Sequence, residues 1–231
     1  MFVVACFAGL LVALTTPQVA KSMSRKVTKT VTLDYLLTLP ETYAKSKERF
    51  PLVLFLHGAG ERGSDLEKVK VHGPTKEVAN GRKFPFILVA PQCPEDQFWD
   101  VDALVGLLDE MEEKYRVDKD RIYVTGLSMG GYGTWNLACT IPDRIAAIAP
   151  ICGGGQWVAA KRLIGIPIWA IHGDSDAVVP PINSEKMVEA VKAAGGDVRY
   201  TLVKGGGHDV WTEPYAGTEL YDWLLSHKRK R

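Results

Sequence analysis

The chain has 231 residues, 46% of them hydrophobic and 24% charged, with a formal net charge of +1. These are ordinary globular values, long enough for one domain with a sizeable core, and they exclude charge-driven binding to nucleic acid or an acidic surface as the main activity.

Phe2 to Leu14 carries no charged side chain, a run too short to span a bilayer comfortably but suited to the apolar core of a secretory signal. Thr15 to Ala20 then reads as a polar cleavage region ending in a small residue. Residues 1–20 are therefore expected to be a signal peptide and residues 21–231 a single domain, secreted or periplasmic, with no stable membrane insertion. No Lys or Arg precedes the apolar run, so a mis-assigned start or a stray leader is the alternative, and with it a cytoplasmic location. Removing Cys6 with the leader would leave Cys93, Cys139 and Cys152, an odd number, so at least one is free or paired between chains. None has metal-site spacing, and no metal is expected.

The β-branched stretch Lys26 to Leu33, continued by Tyr35 to Leu39, predicts one or two opening strands at a sheet edge. Continuous apolar runs follow at Pro51 to Leu56, Phe86 to Ala90, Ile122 to Thr125, Ile145 to Ile151 and Ile166 to Ile171, as expected of strands covered on both faces. Val198 to Val203 alternates more. Helical spacing joins Val101, Leu104, Val105, Leu108, Met111 and Tyr115. Further helices are expected after Ser128, over Ile182 to Ala194, and from Trp211 to Ser226. The basic residues 227–231 read as a solvated, frayed tail. Strands alternating with helices predict a mostly parallel central sheet with helices on both faces, whose ligands sit beyond the carboxyl ends of the strands.

The strand Ile122 to Thr125 runs into Gly126-Leu127-Ser128-Met129-Gly130-Gly131, which places Gly-x-Ser-x-Gly between a strand and a helix. A serine in such a sharp turn takes strained backbone angles, and its flanking glycines remove side chains that would clash. Ser128 is the candidate nucleophile. His208, in the loop Gly205-Gly206-Gly207-His208-Asp209 after the final strand, is the candidate base. His57 and His172 each follow an apolar strand and precede a glycine, which suits loop-shaping roles. The orienting acid is either Asp174 or Asp176, and the residues alone leave the two nearly equal. An oxyanion hole needs two backbone N–H groups. Met129, next to the nucleophile, and Ala59, in the glycine-rich loop His57 to Gly63, are the candidates. Glu61 and Arg62 are expected to pair with each other or with the scaffold. Trp99 and Trp211 stand near strand ends, either as pocket walls or as packing residues.

Leu56-His57-Gly58-Ala59-Gly60-Glu61-Arg62-Gly63, Gly126 to Gly131 and His172-Gly173-Asp174-Ser175-Asp176 together resemble the phospholipase/carboxylesterase-type esterases, including the prolyl-oligopeptidase-related "predicted peptidase" group. The resemblance runs from about Val31 to Leu225. It implies the α/β-hydrolase fold, assigns the acid to Asp176, and places the oxyanion donors on Ala59 and Met129. It further implies hydrolysis of carboxylic esters without metal or organic cofactor, on small-molecule substrates, with acetyl or feruloyl groups of plant polysaccharide as alternatives. A serine peptidase would use the same residues. A non-catalytic binding module would be the natural reading only with a triad position missing, and all three are filled. The absence of a long insertion between Ile151 and Ile166 predicts an open site suited to short or soluble esters. The oligomeric state is not legible.

Overall fold

Fully apolar strands need cover on both faces, and the chain supplies it with two layers of helices. In the computed structural model, residues 18–229 are described. Residues 18–30 contain no helix or strand, and the α/β body begins at Val31. Its strands are β1 (Tyr35–Thr38), β2 (Phe50–Leu56), β3 (Ile87–Pro91), β4 (Val117–Leu127), β5 (Ala147–Ile151), β6 (Ile168–Gly173) and β7 (Val198–Val203). Between and after them lie α1 (Gly73–Ala79), α2 (Val101–Lys114), α3 (Met129–Thr140), α4 (Ile182–Ala193), α5 (Thr212–Ala216) and α6 (Glu219–Ser226).

The sheet order is β1-β3-β2-β4-β5-β6-β7, with β1 antiparallel at one edge and every other pair parallel. This is the α/β-hydrolase arrangement. Alternate residues of β2 feed opposite sides. Leu52, Leu54 and Leu56 pack with Leu108 of α2, Trp135 of α3 and Val191 of α4. Val53 and Phe55 pack with Tyr215 of α5 and with Tyr221 and Leu224 of α6. All seven residues of β2 are buried, and the parallel register sets β4 beside it from Leu52↔Ile122 to Leu56↔Gly126. That places the end of β4 centrally among the strand carboxyl ends.

Three features depart from the expectation. Lys26 to Leu33 forms no strand, because β-branched residues favour extended backbone without supplying the partner edge that a strand requires. The expected closing helix is two, since Gly217 adopts an extended conformation (ψ −175°) and ends α5 before α6 begins. The basic tail is docked as far as Arg229: its N–H donates to the Asp120 carbonyl at 2.9 Å, its guanidinium meets Asp120 Oδ1 at 2.8 Å, and the His227 carbonyl accepts the Tyr123 hydroxyl at 2.6 Å.

Most of the expected signal peptide, with Cys6, lies outside the described residues. Cys93, Cys139 and Cys152 are free thiols. Among the described residues, no helix is long and apolar enough to cross a membrane.

Candidate active site

β4 ends at Leu127 and α3 starts at Met129, so Ser128 alone turns the chain between them. Its φ of 53° and ψ of −118° are costly for a residue with a Cβ, on the order of 1–3 kcal/mol. Backbone bonds hold it there. The Ser128 N–H donates to the Ile151 carbonyl at 2.9 Å, and the Ser128 carbonyl accepts from the Tyr132 N–H at 3.2 Å. Gly130 makes the turn possible, because a Cβ there would lie 1.9 Å from the Leu56 carbonyl oxygen. The hydroxyl thus stands at the N-terminus of α3, where the helix dipole favours negative charge.

Two loops from neighbouring strands converge on it. His208, five residues beyond β7, brings Nε2 to 2.9 Å from Ser128 Oγ and Nδ1 to 2.7 Å from Asp176 Oδ2. Asp176, just past β6, is buried, and its Oδ1 accepts the N–H groups of Val178 and Val179 at 2.9 Å each. Burial alone would push this carboxyl up. The hydrogen bonds from His208, Val179 and Val178 and the attraction of the imidazole outweigh burial and hold it below the usual carboxylate range. Asp174 turns elsewhere: its Oδ1 accepts the Ser175 hydroxyl at 2.7 Å and the Gly205 N–H at 2.8 Å, pinning the base of the loop that carries His208.

The loop after β2 is shaped by groups that were not read as functional. Buried His57 accepts the Cys93 N–H on Nε2 at 2.9 Å and donates from Nδ1 to the Gly58 carbonyl at 2.6 Å. Because C=O and N–H of one peptide point in opposite directions, this grip also orients the Ala59 N–H. Burial, aided by Arg62, lowers His57 to about 4, so the ring stays neutral. The sign of its pH effect follows. The unfolded chain takes up a proton near pH 6.5 and the folded chain does not, so stability is full above that pH and falls as the pH drops towards 4. His57 is expected to cost about 3 kcal/mol across this window. Urea unfolding at pH 7 and pH 4.5 checks it: the loss should be smaller in His57→Gln than in wild type.

Glu61 accepts the Gly58 N–H on Oε2 at 2.8 Å. The Gly58 amide is thereby engaged, and the Ala59 N–H, the candidate donor, follows it in the loop. The Gly58-to-Glu61 spacing, that of a capping box, was the sequence signal for this contact. Glu61→Ala is expected to lower kcat about 10- to 100-fold with KM within about twofold, measured by steady-state ester hydrolysis. Met129 opens α3, where the first N–H groups lack intrahelical acceptors.

Both candidate tryptophans are buried. The Trp99 indole N–H donates to the His57 carbonyl at 3.3 Å and the ring meets the His57 ring edge-on, bracing that loop from below. Trp211 sets its ring edge-on against His208, with centroids 5.0 Å apart, and against His72 at 5.6 Å. His172 is buried beside Asp176.

A mostly parallel seven-stranded sheet with a Gly-x-Ser-x-Gly turn at the end of a central strand defines an α/β-hydrolase. The chain belongs to the phospholipase/carboxylesterase family, whose model matches residues 94–216. It is 30% identical over 136 residues to the bifunctional acetylxylan esterase/xylanase of Neocallimastix patriciarum, covering 56% of this chain and 20% of that protein. It is 26% identical over 182 residues to poly(3-hydroxyalkanoate) depolymerase C of Paucimonas lemoignei, covering 60% and 44%. Among solved structures, a thermostable esterase superposes with a TM-score of 0.75 at 34% identity, over 85% of this chain and 60% of that one. The chain therefore spans less than half the length of these two curated relatives.

Proposed function

We propose that the protein is a serine esterase that hydrolyses short-chain or small soluble carboxylic esters through an acyl-enzyme. The observation that carries the reading is the unbroken hydrogen-bonded series from Asp176 through His208 to a serine held on a strained turn. Ser128 attacks the ester carbonyl as His208 Nε2 takes its proton, and Asp176 stabilises the imidazolium that forms. The N–H groups of Ala59 and Met129 receive the oxyanion. His208 returns the proton to the leaving alcohol, then activates the water that frees the acid. Trp211, beside the imidazole, walls the site, and Trp99 supports the oxyanion loop. The link from β5 to β6 carries only a short 3-10 turn, Trp157–Leu163, which supports an open site. Residues 1–20 are read as an export signal ahead of a single catalytic domain.

A second reading, acetyl or feruloyl esters on plant polysaccharide, is favoured by the likeness to the acetylxylan esterase/xylanase. A p-nitrophenyl ester series from acetate to decanoate, beside methyl ferulate, acetylated xylan and a peptide anilide, separates the possibilities. The highest kcat/KM is expected on acetate to butyrate. Preference for methyl ferulate or xylan would move the assignment to polysaccharide esters, and turnover of the anilide alone would make the protein a peptidase.

A further inference from the structure

Asp176 has a second imidazole behind it. His172, in the last turn of β6 before the acid, is fully buried, with Nε2 at 2.8 Å from the Val179 carbonyl and 3.2 Å from Asp176 Oδ2. That same oxygen meets His208 Nδ1 at 2.7 Å. A carbonyl oxygen only accepts, so His172 Nε2 carries a hydrogen that it donates to the Val179 carbonyl, and the same N–H lies beside Asp176 Oδ2. At the other side of the ring, Nδ1 meets the Ser184 hydroxyl at 2.7 Å, and the single hydrogen of that hydroxyl lies between Nδ1 and the Gly153 carbonyl, 2.6 Å from Oγ. Ser184 is fully buried too and belongs to the first turn of α4. The ring is thus fixed at both nitrogens by parts of the fold that lie beneath the acid.

Cys152 closes the back of this space. It is buried in a left-handed conformation (φ 49°), with its sulfur within 4.8 Å of the ligand atoms of both His172 and Asp176. Burial and then the Asp176 charge push its thiol up to about 12, so it remains S–H and adds no negative charge. A sulfur, an imidazole and a carboxylate this close would suit a thiophilic cation. However, the hydrogen on Nε2 makes His172 a donor rather than a ligand here, and the group reads as a cradle for a carboxylate.

The carboxylate needs one. Val178 and Val179 fix Oδ1, while Oδ2 takes the His208 N–H with the His172 N–H beside it, and the Cys152 thiol is also hydrogen-bonded to the carboxylate. We propose that His172, anchored by Ser184, is a positioning residue for ester hydrolysis: it fixes Oδ2 of Asp176 and so sets the orientation of the His208 ring. The series of side chains then runs Ser128, His208, Asp176, His172, Ser184. This rests on the triad reading above.

Two substitutions separate positioning from packing. His172→Gln returns an amide donor to the Nε2 position, whereas His172→Asn reaches only the Nδ1 position and leaves no ring or amide N–H from residue 172 beside Oδ2. His172→Asn is expected to lower kcat about tenfold with KM unchanged, and to shift or abolish the downfield proton resonance of His208 Nδ1–H. His172→Gln should keep at least about half of wild-type kcat and the resonance. Ser184→Ala deletes one hydroxyl, is expected to lower kcat about threefold in the same pattern, and replaces His172→Asn if that variant does not fold. Wild-type kcat with an unmoved resonance in His172→Asn, or in Ser184→Ala in its place, overturns the proposal. Equal losses in the Asn and Gln variants overturn it as well. Ser128→Ala is assayed alongside. Retained turnover there would sink the triad reading itself, while an inactive Ser128→Ala beside a fully active His172→Asn sinks only the positioning role.

Discussion

Ser128→Ala is expected to lower kcat on a p-nitrophenyl ester by at least about 10⁴-fold while leaving the fold intact. On the proposed mechanism the chemical loss is large because the covalent intermediate would form on Oγ, and among the described residues no other hydroxyl is hydrogen-bonded to His208 Nε2. The structural cost is small. The turn is held through the Ser128 N–H and carbonyl, which alanine retains, and alanine carries the same Cβ strain at φ 53°. The paired measurement is turnover together with the midpoint of thermal unfolding, which should stay within about 2 °C of wild type. An active Ser128→Ala would mean that hydrolysis runs through some other group.

The second large effect is a contrast between two carboxylates two residues apart. Asp176→Asn is expected to reduce kcat by about 10⁴-fold, and Asp174→Asn by about threefold at most. An asparagine at 176 would turn its amide nitrogen towards His208, since Oδ1 is already committed to the Val178 and Val179 N–H groups. Donating to Nδ1 leaves the hydrogen on Nε2, which then faces Ser128 Oγ as a donor and cannot accept its proton. At 174 the relevant oxygen only accepts, from Ser175 and Gly205, and asparagine keeps that oxygen. Steady-state kinetics of both variants at pH 8 makes the comparison, and comparable losses at the two positions would contradict the assignment of roles.

That contrast also marks where the sequence stopped being informative. The buried strands were legible because each is a continuous apolar run, and the Ser128 turn because glycines flank it between a strand and a helix. Asp174 and Asp176 share one turn, and what distinguishes them is a histidine 32 residues beyond Asp176. Only the family resemblance, not spacing, chose between them beforehand. Glu61 left a faint local trace in its distance from Gly58. His172 left none that distinguished it from His57, because both end an apolar strand before a glycine, and only the tertiary neighbours Ser184 and Asp176 separate their roles. The tail and the extent of the single opening strand differ from the expectation for a common reason. Local composition reports what a segment tolerates, whereas docking depends on partners such as Asp120, 109 residues away in the chain from Arg229.

The docked tail has a practical side. Arg229 is held at Asp120, near the start of β4, whereas Ser128 follows that strand's far end. At about 3.3 Å per residue the two are roughly 26 Å apart along the strand. A bead, electrode or carrier protein coupled through the exposed Lys228, next to Arg229, would hold the molecule by the end of β4 opposite Ser128. Immobilised this way, the protein would leave its Ser128 face open to the solution, and the ester turnover proposed above should match, per bound molecule, that of the free protein.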